Sequence, residues 1–261
     1  MKIPQYDVDA FTEKVFGGNQ AAVCLPEEPL SAGLMQAIAC ENNFSETAFA
    51  VKREDGSYSL RWFTPGGEIS LCGHATLATS FVLFRFREPD AGRLVFRTKS
   101  GDLFVSRKDG FIAMDFPACA AKEIPVTPEM GEAMGAVPER AFLDRDLLLV
   151  YGDADTVKGL TPDFEKTAAL PGLGVGVTAP GTGGFDCVSR FFCPKLRVNE
   201  DPVTGSVHCM IGPYWAQRLG KSGLLAFQAS ARGGEMRLEM KGERVLIAGK
   251  AVLFAVSELS V

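Results

Sequence analysis

Two stretches of this sequence repeat one another and differ where the chemistry would sit. Phe63-Thr64-Pro65 leads to Leu71-Cys72-Gly73-His74-Ala75-Thr76, and Phe192-Cys193-Pro194 leads to Glu200-Asp201-Pro202-Val203-Thr204-Gly205-Ser206. Nine residues after its Phe, each copy places one side chain of a reactive type, Cys72 in the first and Asp201 in the second. Each copy then turns through a glycine into a long apolar helix. A helix start offers backbone N–H groups without intrahelical partners, and with the helix dipole these hold anions such as a carboxylate. Gly73, Gly205 and Ser206 stand at those starts. A thiol there can ionise more readily, although a lone buried Cys is commonly an inert small hydrophobe. The Asp201 carboxylate can orient a substrate amine or hydroxyl, pair with His74, or simply favour the helix dipole.

A third acid stands apart. Glu46 lies between Ser45 and Thr47 at the head of the apolar run Ala48-Phe49-Ala50-Val51. Partial desolvation moves such a carboxyl towards the range in which it both takes and gives a proton. The competing reading is an exposed acid at a strand end. His74 has the titration range of a proton relay, or serves as a satisfied structural residue. His208, inside the second apolar helix, reads as core. Asn19, in a Gly-Gly-Asn turn, reads as a residue supplying a left-handed backbone position.

These residues need a scaffold, and the patterning supplies one twice. Strands are expected at 3–9, 20–25, 47–52 and 58–63. A helix follows Ser31 from Ala32 to about Glu41, and a buried helix covers Ala75–Phe86. Strands at 94–99, 103–107 and 111–116 complete the first half, and Pro117–Pro125 reads as a linker. Beyond it, Thr127-Pro128-Glu129 and Thr161-Pro162-Asp163 each read as a Thr-capped helix start with Pro at the first helical position. Strands follow near 147–151, 175–179 and 186–192, then a second buried helix over Ser206–Arg218. A closing meander covers 225–230, 235–240, 245–248 and 251–256. The division expected is an N-terminal half, 1–117, and a C-terminal half, 125–254, with 255–261 returning to the first. Two similar halves imply one cleft between them.

Composition narrows the function. The 261 residues carry a net charge of −5, and no basic run exceeds two residues, which excludes a phosphate-neutralising nucleic-acid surface. The seven Cys form no C-x-x-C pair, and the only histidines are His74 and His208, so a structural metal site is not expected. No apolar signal core or 18-residue apolar run is present, so the expectation is a cytoplasmic protein with no membrane span.

Gly18-Asn19-Gln20-Ala21-Ala22-Val23, Phe44-Ser45-Glu46-Thr47-Ala48-Phe49, Phe63-Thr64-Pro65 and the two repeat motifs occur in an order that resembles the PhzF-like (phenazine biosynthesis-like) family, over nearly the whole chain. Asn19-Gln20 stands where many relatives carry Asn-Pro. The resemblance implies an α+β, diaminopimelate-epimerase-like fold: two pseudo-symmetric halves, each a β-barrel-like sheet around a central helix. Epimerase and racemase relatives carry Cys at both repeat positions. Asp201 at the second removes a two-thiol racemisation. The resemblance instead implies an isomerase that uses Glu46 as its single acid/base, without cofactor or metal. The family's best-understood member moves a proton between ring carbons of a dihydro-hydroxyanthranilate. By the same resemblance His74 and Asp201 position ring substituents, Gly73, Gly205 and Ser206 bind a substrate carboxylate, Asn19 and Ser45 add polar contacts, and the protein is a homodimer. The alternatives are an amino-acid epimerase or racemase working through Cys72, and a non-catalytic small-acid binder.

Overall fold

The computed structural model describes residues 1–261 and divides into two compact units, Met1–Asp115 with Ala248–Val261, and Phe116–Ile247. The first holds β1 (Lys2–Ala10), β2 (Asn19–Cys24), α1 (Ala32–Asn42), β3 (Glu46–Lys52), β4 (Tyr58–Thr64), β5 (Gly67–Ile69), α2 (Gly73–Phe86), β6 (Arg93–Thr98), β7 (Gly101–Lys108) and most of β8 (Phe111–Pro117). The second adds β9 (Lys122–Ile124), α3 (Pro128–Met134), β10 (Arg140–Leu143), β11 (Leu147–Val150), α4 (Ala154–Gly159), α5 (Phe164–Ala169), β12 (Val175–Pro180), β13 (Cys187–Phe192), α6 (Gly205–Leu219), β14 (Gly223–Gln228), β15 (Gly234–Lys241) and most of β16 (Arg244–Gly249). The last strand, β17 (Ala251–Ser260), runs antiparallel along the whole of β1 in the first unit. The return therefore begins at 248 and includes the strand expected at 251–256, because β17 is continuous.

The duplication read from two motifs extends to sheet topology. From β1 through β2, β3, β4 and β6 to β7, successive pairings are antiparallel, parallel, antiparallel, parallel, antiparallel. From β10 through β11, β12, β13 and β14 to β15 the sequence of pairings is the same. A parallel pair needs a crossover, and helices supply it at matching places. Helix α1 lies between β2 and β3, while α4 and α5 lie between β11 and β12. Helices α2 and α6 take the second crossover in their respective units.

Those two helices are buried for a reason visible in their residues. Ala75, Leu77, Ala78, Val82 and Leu83 of α2 are wholly buried, and the helix packs on β1, β2 and β3. Helix α6 packs on β11, β14 and β15. It approaches β12 closely at Gly176, where a Cβ would stand 2.5 Å from Val207 Cγ2. Pro213 removes the N–H that Cys209 C=O would otherwise accept inside α6. The Cys119 N–H takes that place at 2.9 Å, so part of the expected linker is tied to the helix, and β9 pairs with β10.

Other expectations need correction. Asp163, rather than Thr161, caps α5: its Oδ1 accepts the N–H groups of Glu165 and Lys166, and a carboxylate outcompetes a hydroxyl two residues earlier. Helix α4, capped by Asp153, and the strands β5, β9 and β10 were not expected. They are short, and periodicity has little to work on over a few residues. No helix is long and apolar enough to cross a membrane.

Candidate active site

The parallel pairing of β2 with β3 sets Ala21 opposite Glu46. Asn19, two residues before Ala21, shares its face of the sheet. Asn19 is not the left-handed residue expected; it is extended, at the head of β2. Gly18 takes the left-handed position at φ 61°, where a Cβ would meet the Ala10 carbonyl oxygen at 2.0 Å. With the turn made by Gly18, the Asn19 side chain points into the protein and is fully buried.

The start of α2 completes the cluster. His74 Nδ1 lies 3.1 Å from Asn19 Nδ2 and 3.6 Å from Cys72 Sγ, while His74 Nε2 lies 2.9 Å from Glu46 Oε2. In the neutral ring Nδ1 accepts from the Asn19 amide and the proton sits on Nε2, facing Glu46; in the charged ring both nitrogens donate and Asn19 faces Nδ1 through its Oδ1. Both ring nitrogens thus have neighbours within the first unit. Neither Nε2 nor Oε2 has another protein partner. The His74 side chain is 4% exposed and that of Glu46 15%, so the glutamate is the more exposed of the pair.

Burial by itself would push the His74 imidazole down; its contacts with Cys72 and with the Glu46 carboxylate outweigh it and raise the ring above its usual range, the Glu46 charge being the part that remains when the thiol is protonated. The Cys72 thiol moves up, first through burial and then through the Glu46 charge, with His74 opposing. Cys72 is therefore a protonated, enclosed thiol rather than an activated base. Glu46, Cys72 and His74 are close enough to be candidate metal ligands. However, His74 turns a different nitrogen to each neighbour, so one ion shared by all three would require the ring to rotate. Ser45 is half-buried just ahead of β3. Gly73 opens α2 with Cys72 as an extended N-cap that makes no side-chain cap bond; its sulfur faces the Ala75 N–H, and the Gly73 and His74 amides stay available.

In the second unit, the Thr204 hydroxyl does not cap α6; it donates to Asp201 Oδ2 instead. Gly205 and Ser206 form the first turn, and Arg145 Nη2 donates to Ser206 Oγ at 2.7 Å while also holding the buried Asp146 carboxylate. His208 is buried as expected but is not inert core. Its Nδ1 lies 2.7 Å from the Thr204 carbonyl oxygen and its Nε2 lies 3.2 Å from Ser189 Oγ. Thr204, Arg145 and Gln228, which also binds this turn, escaped the sequence reading. Thr204 stood inside a quoted motif, whereas Arg145 comes from the β10–β11 turn and Gln228 from the end of β14, and neither leaves a local signal.

The two imidazoles should titrate in opposite senses. Burial pushes His208 down to about 4, against the backbone bond from Thr204, so the unfolded chain binds the extra proton between 6.5 and about 4 and the folded state loses stability as pH falls through that window. The His74 contribution is complete below 6.5 and is lost as pH rises through its higher folded value. Nitrogen-15 NMR of the two rings is expected to show His208 neutral at pH 6 and His74 still charged above 6.5.

The profile of the PhzC-PhzF family, described as phenazine biosynthesis-like protein, matches residues 8–257. The chain belongs to that family. It is 48% identical to an uncharacterized isomerase of Pseudomonas aeruginosa over 97% of each chain, and 39% identical to the mouse phenazine biosynthesis-like domain-containing protein 2, again over 97% of each. The crystal structure of a PhzF-family protein from Enterococcus faecalis superposes with a TM-score of 0.97 at 50% identity, covering all of both chains. A hydroxyproline epimerase from Agrobacterium vitis superposes at 0.66 with 11% identity, covering 99% of this chain and 92% of its own, which shows the shared epimerase-like fold. By family the chain is a PhzF-like isomerase, an α+β protein dominated by its sheets.

Proposed function

We propose that this PhzF-like isomerase moves a proton on a small carboxylate-bearing substrate through one acid/base, Glu46, with no cofactor. The observation that carries the reading is the Glu46–His74–Asn19 chain. Asn19 fixes the ring, the ring presents Nε2 to the carboxylate, and Glu46 is the more exposed side chain of the pair. Glu46 takes the proton from carbon and returns it elsewhere on the conjugated system. Within the first unit the open amides of α2 at Gly73 suit a carboxylate, and within the second those of α6 at Gly205 and Ser206 suit one by the same chemistry. His74 and Ser45 in the first unit, and Asp201 in the second, each offer a polar group suited to a substrate substituent.

The test is proton exchange. Cyclic hydroxy-amino acids and β,γ-unsaturated acids incubated in deuterated water should take up deuterium at one carbon. Cys72→Ser should retain that exchange within a few-fold, since a buried, protonated thiol is not the base. Loss of exchange in Cys72→Ser together with inversion at an α-carbon would transfer the reaction to the thiol. Benzoate-type carboxylate binding without turnover across the panel would leave only the small-acid binder.

A further inference from the structure

We propose that Gln228 and His208, neither of which touches substrate, are positioning residues that set the Asp201–Ser206 turn. The inference rests on reading Asp201 and the start of α6 as substrate-binding groups. Both side chains are fully buried. Gln228 Oε1 accepts the Thr204 N–H at 2.8 Å, which fixes the amide orientation. Its Nε2 then donates to the Asp201 carbonyl at 2.7 Å and to Thr204 Oγ1 at 3.3 Å. From the other side, the Thr204 carbonyl can only accept, so His208 donates from Nδ1 and is the Nδ1–H tautomer, and its bare Nε2 takes the Ser189 hydroxyl proton.

The remaining polar groups of the turn are held as well. Asp201 N–H donates to Phe191 O at 3.0 Å, and Ser230 Oγ donates to Pro202 O at 2.8 Å. Bonds therefore run in one direction, from Gln228 Nε2 to Thr204 Oγ1 and from Thr204 Oγ1 to Asp201 Oδ2. That direction turns the N-cap hydroxyl away from the helix, so no side-chain cap bond from Thr204 covers the first turn of α6, which begins at Gly205 and Ser206. Leu or Met would fill the Gln228 site with less desolvation, so the amide is there for the bonds it makes.

Gln228→Met keeps the side-chain length and removes the amide. It should raise amide hydrogen exchange at Gly205 and Ser206 at least about tenfold, with the Val245 amide unchanged, since an unpinned turn opens locally. Benzoate, the probe carboxylate, should bind at those amides at least about tenfold more weakly by NMR titration. Gln228→Glu discriminates further. The new carboxyl accepts from Thr204 at any pH but donates to Asp201 O and Thr204 only when protonated, so turn order should recover as pH drops from about 8 to about 5.5, the range in which a buried carboxyl titrates. Ser189→Ala, which releases only the far side of His208, should give a smaller change of the same kind. Wild-type exchange at Gly205 and Ser206 in Gln228→Met, with only a lower Tm, overturns the proposal, as does a Gln228→Glu protein without pH-dependent recovery. If Gln228→Met does not fold, Gln228→Glu and Ser189→Ala decide it by the same exchange rates. A wild-type protein whose Gly205 and Ser206 signals ignore benzoate defeats the carboxylate reading instead, while the exchange rates still decide the positioning role.

Discussion

Glu46→Gln lowers the rate of solvent-proton exchange into substrate by about 10²–10⁴-fold, the range lost with a positioned general acid/base. That corresponds to about 2.7–5.5 kcal/mol of transition-state stabilisation. The substitution is close to isosteric, and the position belongs to β3 through its pairing with Ala21, so the backbone has no reason to move. An amide can still face His74, but it cannot accept a proton from carbon at neutral pH. A second signal accompanies the first. Removing the carboxylate 2.9 Å from Nε2 takes away the charge that raises His74 when Cys72 is protonated, so the ring titrates lower in the variant. Deuterium uptake followed by NMR tests the first effect and ring nitrogen shifts the second. If the variant exchanged protons at the wild-type rate while His74 moved as stated, Glu46 would neighbour the base without being it.

How far the sequence reached depended on whether a residue's role was local. Glu46, Cys72, Gly73 and His74 were legible because a strand head or a glycine-opened helix start declares itself within a few residues. Asn19 was singled out for the wrong cause. The left-handed geometry belongs to Gly18, and the Asn side chain matters through His74, which no spacing rule connects to it. Two short motifs were enough to expect two similar halves, whereas the repeated order of sheet pairings is visible only in the structure. Gln228 was out of reach: it reads as one polar residue at the end of a strand, and it acquires meaning only when β14 pairs with β13 and the Gln228 side chain meets Thr204. The short helix α4 was missed for the opposite reason, since six residues hold too little periodicity to be seen.

Trp215→Ala should be the most destabilising single change in α6, at about 3–5 kcal/mol, as expected when a large aromatic is deleted from a packed core. The indole is 1% exposed, and its Nε1 donates to Thr178 Oγ1 at 2.9 Å. Thr178 in turn donates to Val188 O, so the indole is bonded into the β12–β13 pair at its hydroxyl. Collapse around the deletion is restricted. Gly176 already brings α6 against β12, and Met240 already reaches Gly212, so the helix has little freedom to shift inward and fill the void. Trp215→Phe retains most of the apolar volume and loses the N–H donor, so its cost should be smaller by at least about 1 kcal/mol. Urea midpoints followed by far-UV circular dichroism rank the three proteins. The only other tryptophan, Trp62, is buried in the first unit, and its fluorescence in Trp215→Ala reports that unit alone. Equal midpoints for Trp215→Ala and the wild type would mean that α6 is not held by the packing described, and the open amides at its start would then have no rigid helix behind them.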